Sequence, residues 1–132
     1  MQIFYKPYLI HVMVKKKIKS YFCPAQAATD VIGGKWNLVI LWFLSEKNYR
    51  FKELFREIPE ISEGVLNRQL KELEKDDVIN RRVISDMPLK VEYSLSSYGK
   101  TLKPVIKSSC EWGMKHIDKN DYKLNKPDKR SS

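Results

Sequence analysis

A mainly α-helical fold with one small β-hairpin, in the α+β class, is what the 132 residues predict, and three observations carry the prediction. Apolar residues recur at helical spacing in Phe51, Leu54, Phe55 and Ile58 and again in Leu66, Leu70 and Leu73. From Val78 to Leu95 the pattern changes to two short β-branched runs of period two. A last apolar stripe follows, through Leu102, Ile106, Cys110, Gly113 and Ile117. The chain length suits one domain, and 42% hydrophobic residues suffice for a core without covalent staples.

Residues 1–22 read as a basic arm. They show no helical stripe, Pro7 discourages one, and Ile10, Val12 and Val14 alternate as in a strand. Met13 opens a more ordinary segment, so translation is expected to start there naturally, with residues 1–12 an extension. Cys23-Pro24 opens the folded part. Proline is favoured in a first helical turn, which puts Cys23 at or beside the N-cap of a short helix, Ala25 to Ile32, stopped by Gly33-Gly34. Lys35 to Leu44 is apolar at nearly every position and is expected to be a central post buried on most sides. Gly33-Gly34-Lys35 is no phosphate loop, because the GxxxxGK[ST] spacing is absent and Trp36 stands at the Ser/Thr place.

The Phe51–Ile58 helix ends before Pro59, and the turn Pro59-Glu60-Ile61 leads to Ser62, a natural N-cap. The helix that follows, within Ile61 to Asp77, buries its leucines and turns Gly64, Asn67, Arg68, Lys71 and Lys75 outward. Two helices joined by a tight turn make a helix-turn-helix, whose second helix is the one that enters the DNA major groove. Strands Val78–Ile84 and Val91–Leu95, joined by a polar loop Ser85–Lys90 stiffened by Pro88, then form a wing. Arg81, Arg82 and Lys90 on it can reach phosphates or the neighbouring minor groove. From Ser96 a final helix is expected, kinked or restarted at Pro104, with Val105, Ser109 and Trp112 beside its stripe. Such a face needs a cover once the core has closed, and a homodimer through Val105, Ile106, Cys110, Trp112 and Gly113 supplies it. The domains are therefore 1–22, 23–118 and a polar, mobile tail, 119–132.

The net charge of +9 points to a polyanionic partner but does not locate its site. Residues 1–22 hold +5 and residues 119–132 hold +3, leaving +1 for the rest, and Ile61 to Lys90 carries six bases and six acids. Cys23 and Cys110 form no CxxC pair, which argues against a disulfide framework or zinc site and for a reducing, cytoplasmic setting. No apolar run is long enough to span a bilayer, and apolar residues precede the basic cluster, inverting a secretory signal. His11 and His116 lack metal-ligand spacing, and no triad or carboxylate pair stands out, so no catalytic residue, metal or cofactor is expected.

Taken together, Cys23-Pro24, Asp30-Val-Ile-Gly-Gly-Lys-Trp36, Arg50-Phe51-x-x-Leu54, Ile61-Ser62, Leu70-Lys-Glu-Leu-Glu74, Pro88, Val91-Glu-Tyr-Ser-Leu95, Gly99, Pro104 and Trp112-Gly113 resemble the HxlR family of MarR-like bacterial transcriptional regulators. The resemblance covers roughly Cys23 to Ile117. It implies a winged helix-turn-helix with N- and C-terminal dimerisation helices, binding double-stranded operator DNA as a homodimer. Ser62, Asn67, Arg68 and Lys71 are then the base-reading candidates, and Lys35, Arg50, Arg81, Arg82 and Lys90 the backbone or wing contacts. Three departures stand out: Asp77 replaces the glycine that ends the reading helix, Gly64 replaces a longer side chain, and Leu89 replaces a second proline.

Some HxlR members that this chain resembles sense oxidants or electrophiles through a cysteine at the position of Cys23. A thiol at a helix N-terminus, near Lys19, suits that role, and a small residue buried at a dimer seam is the alternative. Cys110 is expected in the core. Tyr98 and Trp112 are expected beside an effector pocket. The competing function is a winged-helix module used only for protein assembly, without specific DNA binding. An enzyme with Cys23 as nucleophile ranks behind both, for want of a base.

Overall fold

The computed structural model describes residues 19–125. The strand-like arm, the start at Met13 and the end of the polar tail lie outside the described residues. The chain divides into two units, Met1–Asp30 and Val31–Ser132.

Helix α1 (Pro24–Ile32) begins in the first unit, where the proline was expected to start it, and its last two residues belong to the second. The Cys23 carbonyl accepts the N–H groups of Gln26 and Ala27 at 3.0 and 3.4 Å. The Tyr21 hydroxyl donates to the Asp30 carboxylate at 2.5 Å, and the side-chain carbonyl of Gln26 accepts the Phe22 N–H at 3.1 Å.

The second unit contains α2 (Asn37–Glu46), β1 (Tyr49–Arg50), α3 (Phe51–Glu57), α4 (Glu63–Lys75), β2 (Ile79–Asp86), β3 (Leu89–Leu95), a 3-10 turn (Gly99–Leu102) and α5 (Lys103–Lys119). Gly34, at φ +85°, takes the left-handed conformation between α1 and α2 that side-chain-bearing residues avoid. The core is built where α2, α3 and α4 meet the sheet: Ile40, Leu41, Leu54, Leu66, Leu70 and Leu73 are all buried, with Ile79 and Leu95 from the strands and Ile106 from α5. Each such side chain stabilises the fold by about 1.5–3 kcal/mol relative to an exposed position.

Four expectations are corrected. Helix α2 is not buried on most sides: its inner face is Ile40, Leu41 and Leu44, while Val39 and Trp42 are exposed. Among the described residues, the packing elements cover one side of this helix only. The hairpin gains a third strand, in the order β1-β3-β2, through antiparallel pairs Tyr49↔Tyr93 and Arg50↔Glu92. Two residues are too short to show a period. The polar loop contracts to Met87-Pro88, a cis peptide, because ladder pairs Ser85↔Lys90 and Asp86↔Leu89 extend both strands, past an irregularity between Val83 and Ser85. The final α-helix begins at Lys103 rather than Ser96, with Pro104 in its first turn, where no intrahelical N–H is required.

Ser96 is instead a buried junction. Its hydroxyl donates to the Asp77 carbonyl at 2.6 Å and accepts the Gly99 N–H at 2.8 Å, while its own N–H bonds the Val78 carbonyl at 3.0 Å. One residue thus ties the end of α4, the end of the wing and the approach to α5. Tyr49 is also buried, between the Lys47 ammonium, 4.7 Å from its ring centre, and the edge of Phe43. Burial raises its phenol pKa above the usual value, and the carboxylates of Glu57, Glu46 and Glu53 add to the rise.

Candidate nucleic-acid interface

The surface that can read a polymer is α4 with the hairpin behind it. The chain enters α4 through Pro59-Glu60-Ile61, where Glu60 takes φ +71°. Ser62 is the N-cap: its Oγ accepts the Val65 N–H at 3.1 Å, leaving the hydroxyl proton to be donated elsewhere. Glu63 follows in the first turn, beside the positive end of the helix dipole. Leu66, Leu70 and Leu73 are buried against the core, so Gly64, Asn67, Arg68, Lys71 and Lys75 face outward. A Cβ on Gly64 would meet nothing within 4 Å, so that position leaves open space on the reading face.

Two contacts that set the pose of α4 are not evident from spacing. Gln69, half-buried on its flank, donates through Nε2 to the Asn37 side-chain oxygen at 2.7 Å, and Asn37 Nδ2 donates to the Val31 carbonyl at 2.8 Å. This polar chain anchors the reading helix to the start of α2. At the other end Asp77 takes φ +66°, the left-handed turn expected of the family's glycine, and the Val78 N–H bonds the Leu73 carbonyl at 3.2 Å. The hairpin therefore leaves straight from the C-terminus of α4.

The other candidates fall on separate parts of the surface. Arg81, Arg82 and Lys90 are exposed on the hairpin. Arg82 pairs across the strands with Glu92 at 3.1 Å, whereas among the described residues Arg81 and Lys90 have no ion-pair partner. Arg50 caps α3, its N–H bonded to the Glu53 carboxylate at 2.8 Å and its side chain 3.8 Å from the same group. Lys35 is exposed, with its ammonium 5.0 Å from the Trp36 ring centre.

Leu38, Val39 and Trp42 of α2 face Ile106, Ser109 and Cys110 of α5 across an open groove of about 310 Å³. Its continuation is lined by Pro104, Val105, Ser108 and Trp112. Cys110 is exposed rather than in the core, because within one chain α5 buries only Ile106. Tyr98 is exposed and lines neither groove. Trp112 stacks on His116, which in turn meets the ring of Tyr122. Cys23 is half-buried.

No helix among the described residues is long and apolar enough to cross a membrane. The HxlR-like helix-turn-helix family model matches residues 31–121. The HTH-type transcriptional regulator YdeP of Bacillus subtilis (strain 168) is 44% identical over 99 residues, 75% of this chain and 77% of that protein. Among solved structures, the redox regulator HypR in its reduced form is 38% identical with a TM-score of 0.71, covering 75% of this chain and 98% of its own. The reduced transcriptional regulator YodB of B. subtilis is 35% identical with a TM-score of 0.61, covering 70% and 91%. A reading helix on a leucine-packed core, a hairpin wing behind it and these matches lead to one assignment: the chain belongs to the HxlR family of helix-turn-helix transcriptional regulators.

Proposed function

We propose that the protein is a cytoplasmic homodimer that binds a specific duplex DNA site with α4 in the major groove. The observation that carries this reading is the outer face of α4, where Asn67, Arg68 and Lys71 are exposed while the leucines opposite are locked in the core. Asn67 has the geometry for adenine, Arg68 for guanine, Lys71 for guanine or phosphate, and the Ser62 hydroxyl can donate to a base edge or phosphate. Arg81, Lys90 and Lys35 act on the backbone. Arg50 and Arg82 add less, because Glu53 and Glu92 compete for them.

Dimerisation brings the exposed parts of α2 and α5 together with their symmetry mates, through Val105, Cys110, Trp112 and Gly113; Ile106, expected in the same seam, is instead buried in the chain's own core. It also supplies two reading helices to successive major grooves. Catalysis forms no part of the proposal, since the relatives are named as transcriptional regulators.

The test is fluorescence anisotropy with a duplex selected from a randomised library and with its scrambled counterpart. Wild type prefers the selected duplex by about 10³-fold or more. Arg68→Ala loses about 1–3 kcal/mol of discrimination at one base pair. Equal, salt-indifferent binding to both duplexes would favour the protein-assembly module instead.

A redox input is a second reading, favoured by the likeness to HypR, named a redox regulator. Cys23, half-buried at the start of α1, is the sensing thiol in it. Diamide then lowers the affinity of wild type and of Cys110→Ser for the selected duplex but leaves Cys23→Ser unaffected. Identical losses in all three proteins would remove Cys23 from the role.

A further inference from the structure

Gly64 has no reason within the fold to be glycine. Gly34 needs its left-handed backbone, and Gly99 would drive a Cβ into the Val78 carbonyl. Gly64 instead lies inside α4 with ordinary helical geometry, and a Cβ there would meet nothing within 4 Å. Glycine also favours a helix less than alanine does, by up to about fivefold in the folding equilibrium. The fold alone would accept almost any side chain here. Gly113, likewise open, lies on the face proposed to meet a second copy, so both positions that leave a Cβ-sized space do so on surfaces with something to receive.

The position is central to the reading face. Gly64 and Leu73 stand about two and a half turns apart, which sets them on opposite sides of α4, and Leu73 is buried. Asn67 and Arg68 follow on the next turn and Lys71 on the one after, all exposed, so the bare backbone of the first turn is bordered by groups that bind bases and phosphates. Glu63, exposed at the first position of the helix and among the described residues without an ion-pair partner, repels a phosphate from this end. A base edge is what remains. Of the groups displayed in the major groove, acceptors such as guanine O6 and donors such as cytosine N4 need a side-chain partner that glycine lacks. The thymine C5-methyl needs only contact and removal from water, and the space left by a missing Cβ is the size of a methyl group.

We propose that Gly64 is a notch for the C5-methyl of one thymine in the site read by α4, and so a determinant of the sequence that α4 selects. This rests on the DNA-binding reading above and deepens it. A side chain at this position would hold the first turn of α4 off the groove, whereas glycine lets the backbone approach the base.

The experiment starts from a duplex selected from a randomised library by the wild-type protein. Each thymine is replaced in turn by deoxyuridine, which keeps the pairing and the O4 acceptor but lacks the methyl. At one thymine of the half-site, wild type binds about fourfold more weakly without the methyl, the scale of one methyl removed from water. Gly64→Ala fills the notch from the protein side. It melts no lower than wild type, binds the thymine duplex about tenfold more weakly through overpacking, and binds the deoxyuridine duplex better than the thymine duplex, because a single methyl then occupies the space for which two compete. That reversal separates the notch from a merely structural role, which would weaken both duplexes alike. A wild-type protein indifferent to every thymine methyl, or a Gly64→Ala protein that keeps the wild-type thymine preference or melts lower than wild type, would overturn the proposal and leave DNA binding by α4, tested through Arg68→Ala, standing. Failure of wild type to enrich any duplex would remove the DNA reading and the notch with it.

Discussion

Gly99 shows how much a single position can decide. A Cβ built there would lie 1.8 Å from the Val78 carbonyl oxygen, a backbone atom that cannot step aside without breaking its bond to the Ser96 N–H. Gly99→Ala is therefore expected to cost about 1–3 kcal/mol by overpacking, read as a lower urea midpoint at unchanged slope. Ser96→Ala tests the same junction from the other side, because it leaves the Gly99 N–H buried and unpaired. The glycine was visible in the sequence as part of the family string, but its reason was not: the close approach joins residues from the wing root and the α5 approach. Asp77 is the opposite case. Its place where the resembled family has a helix-ending glycine implied a left-handed turn in advance, and φ +66° agrees.

At the scale of elements, period was the reliable signal and pairing was not. Helices α3 and α4 and the buried leucines of α4 follow from i, i+3 and i+4 spacing alone, and the Ser62 cap from its place before them. Strand β1 and the contracted turn depend on partners distant in sequence, Tyr93 for Tyr49 and Lys90 for Ser85, which no local pattern records. The Gln69–Asn37 bond that anchors α4 was hidden for the same reason. Helices α2 and α5 teach a related lesson. The apolar run of α2 read as core, yet Val39 and Trp42 are exposed, as are Val105 and Trp112 on the α5 face that was expected to need a cover, since periodicity reports that a face wants cover without saying which chain provides it. In the proposed dimer that cover is the partner, and Trp112 is the more exposed of the two tryptophans on the face. Trp112→Glu is expected to raise the dimer dissociation constant by about 30-fold or more, the scale of an interfacial aromatic anchor, in sedimentation velocity. An unchanged constant would move the interface elsewhere.

For the whole molecule, the distribution of charge separates attraction from recognition. Residues 119–132 hold +3 and residues 1–22 hold +5, while the intervening chain, with every base-reading candidate, is close to neutral. Phosphate contacts carry no sequence information, so cations in the ends should add affinity for any duplex and leave discrimination to α4. Neutralising the C-terminal segment with Lys126→Gln, Lys129→Gln and Arg130→Gln is therefore expected to weaken binding to selected and scrambled duplexes by the same factor at low salt. The slope of log affinity against log salt should become shallower by up to about three per protomer, one for each lost phosphate contact. Their ratio should hold, because in the proposed complex the bases are read by neutral and cationic groups fixed on a folded helix rather than by the ends. A ratio that falls in the triple variant would mean that the segment after α5 contributes to recognition, and the near-neutral surface of α4 would then be only part of the reading head.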